Sequence, residues 1–396
     1  MRTPSGAPRA TNRVSLRPRM TSFDPYRLTL ARWAAGMTRT DLARELGLSP
    51  ASVSQYEAGN TAPPSSVIAQ MALVLGVHSG YFEQSPSRRS PSTATRSFFR
   101  SLRATRQWER DQADALTEHA YDLVSFVEQR IRLPEIAIPS FPVRSEASRL
   151  EVEAVAGDVR RAWELESARP IANVVRLIEA NGVVVCRLRA GSDRVDAFSR
   201  WFSSRPVVVL WDGKNDKARS RFDTAHELGH LVMHHEPEFS DQVQERQAHA
   251  FAAALLMPAE VIVDHLPRRP PRAADWDQLR AAQRRWGVSV AALLYRAREL
   301  GTLTEAGFRR AMTRYNQLGL RTIDGQALGE PERPRLLAEA VETLLTHKAW
   351  TLDDLAEALV FTRRQLQQIL GEIATEDDGR RDGREASDVV VPFRRA

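Results

Sequence analysis

Residues 84–96, Gln-Ser-Pro-Ser-Arg-Arg-Ser-Pro-Ser-Thr-Ala-Thr-Arg, contain no large apolar side chain. No core can run through such a stretch, and its Ser, Pro and Arg content reads as a linker. The chain is therefore expected to fold as several units, as its 396 residues also suggest at roughly 100–200 residues per domain.

The flanking segments read differently. Residues 1–22 carry five arginines and no acid, which describes a disordered basic tail. Residues 23–83 alternate short helical patterns with brief turns. Residues 97–143 form a helical connector, with a long helix predicted from about Leu102 to Ile131 and stopped by Pro134. A mixed segment follows over 144–301: helix to about Glu166, helix from Ile171 to Asn181, then the β-branched run Gly182 to Leu188. A second extended run, Pro206 to Trp211, precedes turn chemistry at Asp212 to Asp216 and a helix to His235. From Asp241 to Gly371 the pattern is almost wholly helical, so 302–372 is expected to be a helical C-terminal region. Residues 373–396 are charged and Gly-containing and read as a disordered tail. The fold class expected is multidomain and mostly α, with an all-α N-terminal domain and a central α+β domain.

Several classes fall away. The longest nearly unbroken apolar run, Ala250 to Ala259, is about half of what spanning a bilayer requires, so no membrane partner is expected. No apolar stretch follows the basic start as a secretory signal would need. A lone cysteine, Cys186, excludes internal disulfides and fits a cytoplasmic location. The net charge of +6 permits an anionic partner. Only Lys214, Lys217 and Lys348 are lysines, however, and so strong an arginine skew points to codon composition as much as to phosphate binding.

The segment from Arg39 to Ala58 has the spacing of a helix-turn-helix. Ala43 is small where two helices cross, and Gly47 sits where the turn needs a left-handed residue. Ser49 can cap the second helix, with Pro50 at its first position. Leu42, Leu46, Val53 and Tyr56 supply the apolar contact. The second helix would enter the major groove with Ser49 at its start and Ala51, Ser52, Ser54 and Gln55 outward. Gln55 can pair with adenine, and Arg32, Arg39 and Arg44 are the candidates for phosphate. These residues, with Glu57-Ala-Gly-Asn-Thr-Ala-Pro-Pro64, resemble the XRE (Cro/C1-type) helix-turn-helix family. The resemblance implies a lambda-repressor-like domain that binds double-stranded DNA as a homodimer. The second helix departs from that pattern in having no Arg or Lys.

Histidine is concentrated: five of nine lie between His226 and His249. In Phe222-Asp-Thr-Ala-His-Glu-Leu-Gly-His-Leu-Val-Met-His234, His226 and His230 are four apart and share a helix face, as one Zn²⁺ requires. Glu227 can take a proton from a zinc-bound water, whose pKa the metal lowers to about 7. His234 is too far along the helix for the same ion and reads as a helix-end residue favoured by the dipole. Met233 and Glu236 exclude the metzincin continuation. The next helix offers Glu245 and His249, again four apart, leaving two choices of third ligand.

The motifs Arg221-Phe-Asp-Thr-Ala-His-Glu-Leu-Gly-His230, Glu245-Arg-Gln-Ala-His-Ala-Phe-Ala252 and Leu255-Leu-Met-Pro258 resemble the ImmA/IrrE metallopeptidases, peptidase family M78. The resemblance implies a zincin-like domain in which His226, His230 and Glu245 bind zinc and Glu227 is the catalytic base. His249 stands where that family usually has Asn or Asp. Pro206 to Trp211 is a candidate strand for substrate addition or equally a plain core strand, and Arg221 reads as a helix-end charge in preference to an oxyanion group. The joint reading is a transcriptional regulator with a zinc endopeptidase that acts on a regulatory protein, such as a repressor. The alternative is a non-catalytic or antitoxin-like DNA-binding protein whose second domain senses a ligand or only holds metal.

Two further segments stand out. Phe98 to Arg106 joins an apolar pair to a basic cluster and is expected to pack. Leu352 to Leu370 repeats the offsets of the first motif, with Val360 in place of the turn glycine, and reads as a packing or sensing module in preference to a second DNA reader.

Overall fold

The computed structural model describes residues 23–83, 107–188, 197–202, 205–211, 216–234, 241–324, 326–347, 350–371 and 391–392. The linker 84–96, the Phe98–Arg106 segment and the tail 1–22 lie outside the described residues.

Helices α1 (Pro25–Ala34), α2 (Arg39–Leu46), α3 (Pro50–Glu57) and α4 (Ser65–Leu75) form the N-terminal unit. Their ends are set by sequence. Asp24 caps α1, with Pro25 in its first turn. Thr38 and Asp41 form a reciprocal capping box on α2, and Gly47 closes it at φ 65°. Ser49 then caps α3 by accepting from the Ser52 amide.

The connector is one long helix, α5 (Gln107–Glu128), leading to the short strand β1 (Ile131–Arg132). Helices α6 (Arg149–Ala162) and α7 (Val174–Ala180) precede β2 (Val184–Leu188), β3 (Ala197–Trp201) and β4 (Pro206–Trp211). Then come α8 (Lys217–Met233), α9 (Asp241–Leu256), α10 (Ala259–Ile262), α11 (Asp275–Trp286), α12 (Val290–Glu299), α13 (Glu305–Gln317) and α14 (Leu320–Ile323). The C-terminal arm holds α15 (Leu336–His347), α16 (Leu352–Leu359) and α17 (Arg363–Leu370). Val391 and Pro392, placed by composition in a disordered tail, form a strand β5 parallel to β1. Among the described residues no helix is long and apolar enough to cross a membrane.

The sheet runs β2-β4-β3, with β2 parallel and β3 antiparallel to β4. Strand periodicity sends alternate residues to opposite faces. Val185, Ala197, Val208 and Leu210 face one core, which is closed by helices α6 to α13. Val184, Cys186, Phe198, Val207, Val209 and Trp211 face a second core. That second core is shared. It includes Leu28, Leu42 and Val53 of the N-terminal unit, Leu116, Tyr121 and Val124 of α5, and Leu337, Leu355 and Leu366 of the arm.

The N-terminal unit is therefore packed against the rest of the chain, despite the linker composition beyond it. Helix α5 makes the joint: Arg27 pairs with Asp122 at 2.7 Å, Gln112 donates to the Ala34 carbonyl, and the Tyr81 hydroxyl meets His119 Nε2 at 2.6 Å. Burying side chains of this size stabilises by roughly 1.5–3 kcal/mol each, which outweighs the freedom a linker offers.

The arm is tied to the central domain by two carboxylates in crosswise contact. Glu332 Oε2 accepts from the amides of Val174 and Val175, capping α7, while Oε1 pairs with Arg221. In return Glu179, at the end of α7, accepts from the amides of Arg335 and Leu336 at the start of α15. Helix α7 thus supplies the acceptor for the first turn of α15, and the segment leading into α15 supplies the acceptor for the first turn of α7.

Candidate metal centre and DNA-reading helix

Helices α8 and α9 carry the polar groups of the centre. They approach closely because Gly229 has no side chain: a Cβ there would lie 2.9 Å from Phe251 Cδ1 and 3.3 Å from Ala248 Cα. That approach brings Glu245 of α9 over His226 and His230 of α8, with ligand atoms all within 4.8 Å of one another. His226 Nε2 lies 3.2 Å from His230 Nε2, 3.1 Å from Glu245 Oε2, and His230 Nε2 lies 3.3 Å from Glu245 Oε1. The edge of a tetrahedron built on 2.0–2.1 Å bonds is about 3.3–3.4 Å. The separations between the imidazoles and from each imidazole to the carboxylate are close to that edge, with the two imidazoles meeting different oxygens of Glu245.

The second nitrogen of His230 is fixed by a buried chain of hydrogen bonds. Gln247 donates its amide to the Arg144 carbonyl at 2.7 Å, so its Oε1 is the acceptor for His234 Nε2 at 3.0 Å. His234 must then carry its proton on Nε2, and its Nδ1 accepts from His230 Nδ1 at 3.0 Å. The lone pair of His230 Nε2 is left pointing into the cluster. His234 is 1 % exposed, and burial pushes its pKa down to about 3, so it stays neutral. It is a positioning residue for His230 and not an exposed helix-end charge. Its four-residue spacing from His230 was the available signal.

Burial opposes a charged His226, but its bond to Glu245 and the nearby Glu227 outweigh that, and its pKa lies above the usual value. Burial likewise works against an ionised Glu245, but the two imidazoles hold its carboxyl well below the usual range. Glu227 is 4 % exposed, and burial raises its pKa to about 7. One oxygen is held: Ser199 Oγ donates to Glu227 Oε2 at 2.7 Å. Ser199 comes from β3, on the face opposite Phe198, and no sequence motif marked it.

Residues 178–298 match the family described as the IrrE N-terminal-like domain of peptidase family M78. Residues 30–82 match the helix-turn-helix family. The chain carries both domains. Comparison with curated proteins finds no match.

In the M78-type domain, His249 is exposed on α9, its ring 4.6 Å from Phe222 and 6.2 Å from His226. It is not among the three clustered ligands. Arg221 is buried and spent on Glu332 and the carbonyls of Ala172 and Ile171, so it serves the fold and not an oxyanion. Strand β4, a candidate for substrate addition, is the middle strand with partners on both sides; β3 lies at the edge.

In the helix-turn-helix domain, Ser49, Ala51 and Gln55 are exposed on α3, and Ser52 and Ser54 half-buried. The Ser49 hydroxyl is engaged by the cap, and lies 2.9 Å from Ser52 Oγ. Arg39 is exposed but donates to Glu57 Oε2 at 2.6 Å. Arg32 is buried and bound to the same carboxylate, which removes it from the candidates for phosphate. Arg44 is exposed beside Asp41.

Proposed function

We propose that the chain is a cytoplasmic DNA-binding regulator carrying a zinc-dependent endopeptidase that hydrolyses peptide bonds of a regulatory protein, such as a repressor. Residues 23–83 are taken as the DNA-binding unit and 144–301 as the peptidase unit. The observation that carries the reading is the convergence of His226, His230 and Glu245 beside a buried, oriented Glu227. Two imidazoles and a carboxylate, leaving a fourth position open, suit catalytic zinc. When bound, zinc supplies Lewis acidity that brings the pKa of a coordinated water to about 7.

Glu227 is the general base. Ser199 holds its Oε2, and Oε1 receives the proton. A carboxyl raised toward neutrality by burial is matched to that task, accepting a proton and returning it to the leaving amine. A bound cation nearby shifts Glu227 back toward its ionised form. His234 and Gln247 keep His230 in the ligating tautomer. The edge position of β3 supports an extended peptide pairing along it, past Ser199. On the DNA side, α3 enters the major groove with Ala51, Ser52, Ser54 and Gln55 toward the bases, and Arg39 and Ser49 toward phosphate. A homodimer is the expected form on DNA.

The test is zinc per chain by elemental mass spectrometry on wild type, His230→Ala and Glu227→Gln. The expected result is about one ion in wild type and Glu227→Gln and none in His230→Ala. Glu227→Gln then serves as a trap for the protein substrate. Absence of zinc from folded wild type would overturn the peptidase reading and leave the DNA-binding one standing.

A further inference from the structure

The α16–α17 pair repeats the helix lengths, caps and core positions of α2–α3 at positions 313 further on. All four helices are eight residues long. The capping box of Thr38 and Asp41 recurs as Thr351 and Asp354. The left-handed turn residue Gly47, at φ 65° and ψ 28°, recurs as Val360 at φ 55° and ψ 38°. Ser49, the cap of the second helix, recurs as Thr362. Leu42, Ala43 and Val53 in the core recur as buried Leu355, Ala356 and Leu366. The pair rides on the same body as the first unit, since Phe361 packs against Tyr81 and His119 and Thr362 Oγ1 donates to the Gly76 carbonyl at 3.4 Å.

The outward faces differ in chemistry. On α3 that face offers Pro50, Ala51, Ser54 and Gln55, with no cation. On α17 the same positions are Arg363, Arg364, Gln367 and half-buried Gln368, and the helix holds no acid. Arg363 is pinned by both oxygens of Asp353, and Asp354 is spent on its capping box. Glu357 is exposed on α16. Arg364 has no hydrogen-bond or ion-pair partner among the described residues. Arginine and glutamine are the side chains that pair bidentately with guanine and adenine edges, and arginine also binds phosphate.

We propose that α17 is a second DNA-reading helix, placing Arg364, Gln367 and Gln368 in the major groove of duplex DNA. The inference rests on the reading of the chain as a DNA-binding regulator. It assigns to the C-terminal arm the cationic contact that α3 lacks.

The experiment uses the full chain and a 30-base-pair mixed-sequence duplex, with affinity followed by fluorescence anisotropy between 50 and 200 mM NaCl. Arg364→Ala is expected to reduce the slope of log K against log salt by about 0.9, the value for one phosphate contact. Selection from a random duplex pool adds a second readout. Gln367→Ala with Gln368→Ala should lose one block of the selected sequence, and Gln55→Ala a different block. Arg364 and Gln367 are exposed and Gln368 is half-buried, and an unchanged melting temperature certifies the fold. An unchanged slope and an unchanged selected sequence, with wild type binding DNA through α3, would overturn this inference alone. Wild type that binds no duplex would overturn the regulator reading along with it.

Discussion

The two faces of the small sheet are alike in composition and opposite in use. Toward α8 the strands present Val185, Val208 and Leu210, with Ser199 as the polar exception that holds Glu227. Toward α5 they present Cys186, Phe198 and Val209, and Phe202, just after β3, stacks on Tyr121 with ring centroids 3.8 Å apart. One side backs the helices that carry the His226, His230 and Glu245 cluster; the other anchors the helix-turn-helix unit. The lesson is that β3 serves both. Ser199 points to Glu227 while Arg200, one residue on, reaches Glu118 of α5 at 2.9 Å.

Matched cavities would break that comparison most directly. Phe251→Ala in the metal-side core and Phe361→Ala in the DNA-side core should each cost about 3–5 kcal/mol by urea unfolding. Only Phe251→Ala should lower the zinc content, because Phe251 sits against Gly229. Equal zinc loss in both would show the two cores to be one cooperative unit. A smaller effect is expected where the arm meets the central domain. Glu332→Gln removes the charged partner of Arg221 and should cost roughly 2 kcal/mol, read the same way.

Glu179 sharpens the comparison through pH. Burial raises its pKa from 4.5 to about 7 although the Leu336 and Arg335 amides pull the other way. The folded chain therefore keeps a proton that the unfolded chain has released, and stability falls as pH rises from about 4.5 to about 7. Melting curves of Glu179→Gln should be flatter with pH across that window than those of wild type. A parallel pH dependence would count against the burial as the cause. The smallest effect belongs to Val360, a β-branched residue at φ 55°. Val360→Gly relieves left-handed strain of about 1–2 kcal/mol but gives back roughly half in chain entropy. A net gain under 1 kcal/mol should appear as a slightly raised melting temperature.

What the sequence disclosed was local. His226 and His230 are legible because four residues make one turn of helix, and Gly47 and Ser49 because turns and caps are chosen over short range. The extended runs that became β2 and β4 were legible as β-branched stretches. Strand β3 was not, because Ala-Phe-Ser-Arg-Trp shows no alternation of polarity when Ser199 and Arg200 are both buried and paired across the fold. The place of β4 in the middle of the sheet, the tie of Arg221 to Glu332 and the hold of His234 on His230 depend on partners that spacing alone does not reveal. The linker composition of 84–96 suggested independence, whereas packing by α5 and Phe361 decided the outcome.

The crosswise carboxylates of Glu179 and Glu332 also set an order of assembly. Arg221 is synthesised 111 residues, and the first amides of α7 157 to 158 residues, before the carboxylate that satisfies them. At ribosomal rates of about 5–20 residues per second, that is a wait of roughly 5–30 s. During it the nascent metal-side layer holds a buried cation and two amides whose partner in the finished fold has yet to be made. A fragment ending at Leu300 would keep Arg221 and the α7 amides without Glu332, so the metal-side layer is completed only by the segment that follows it.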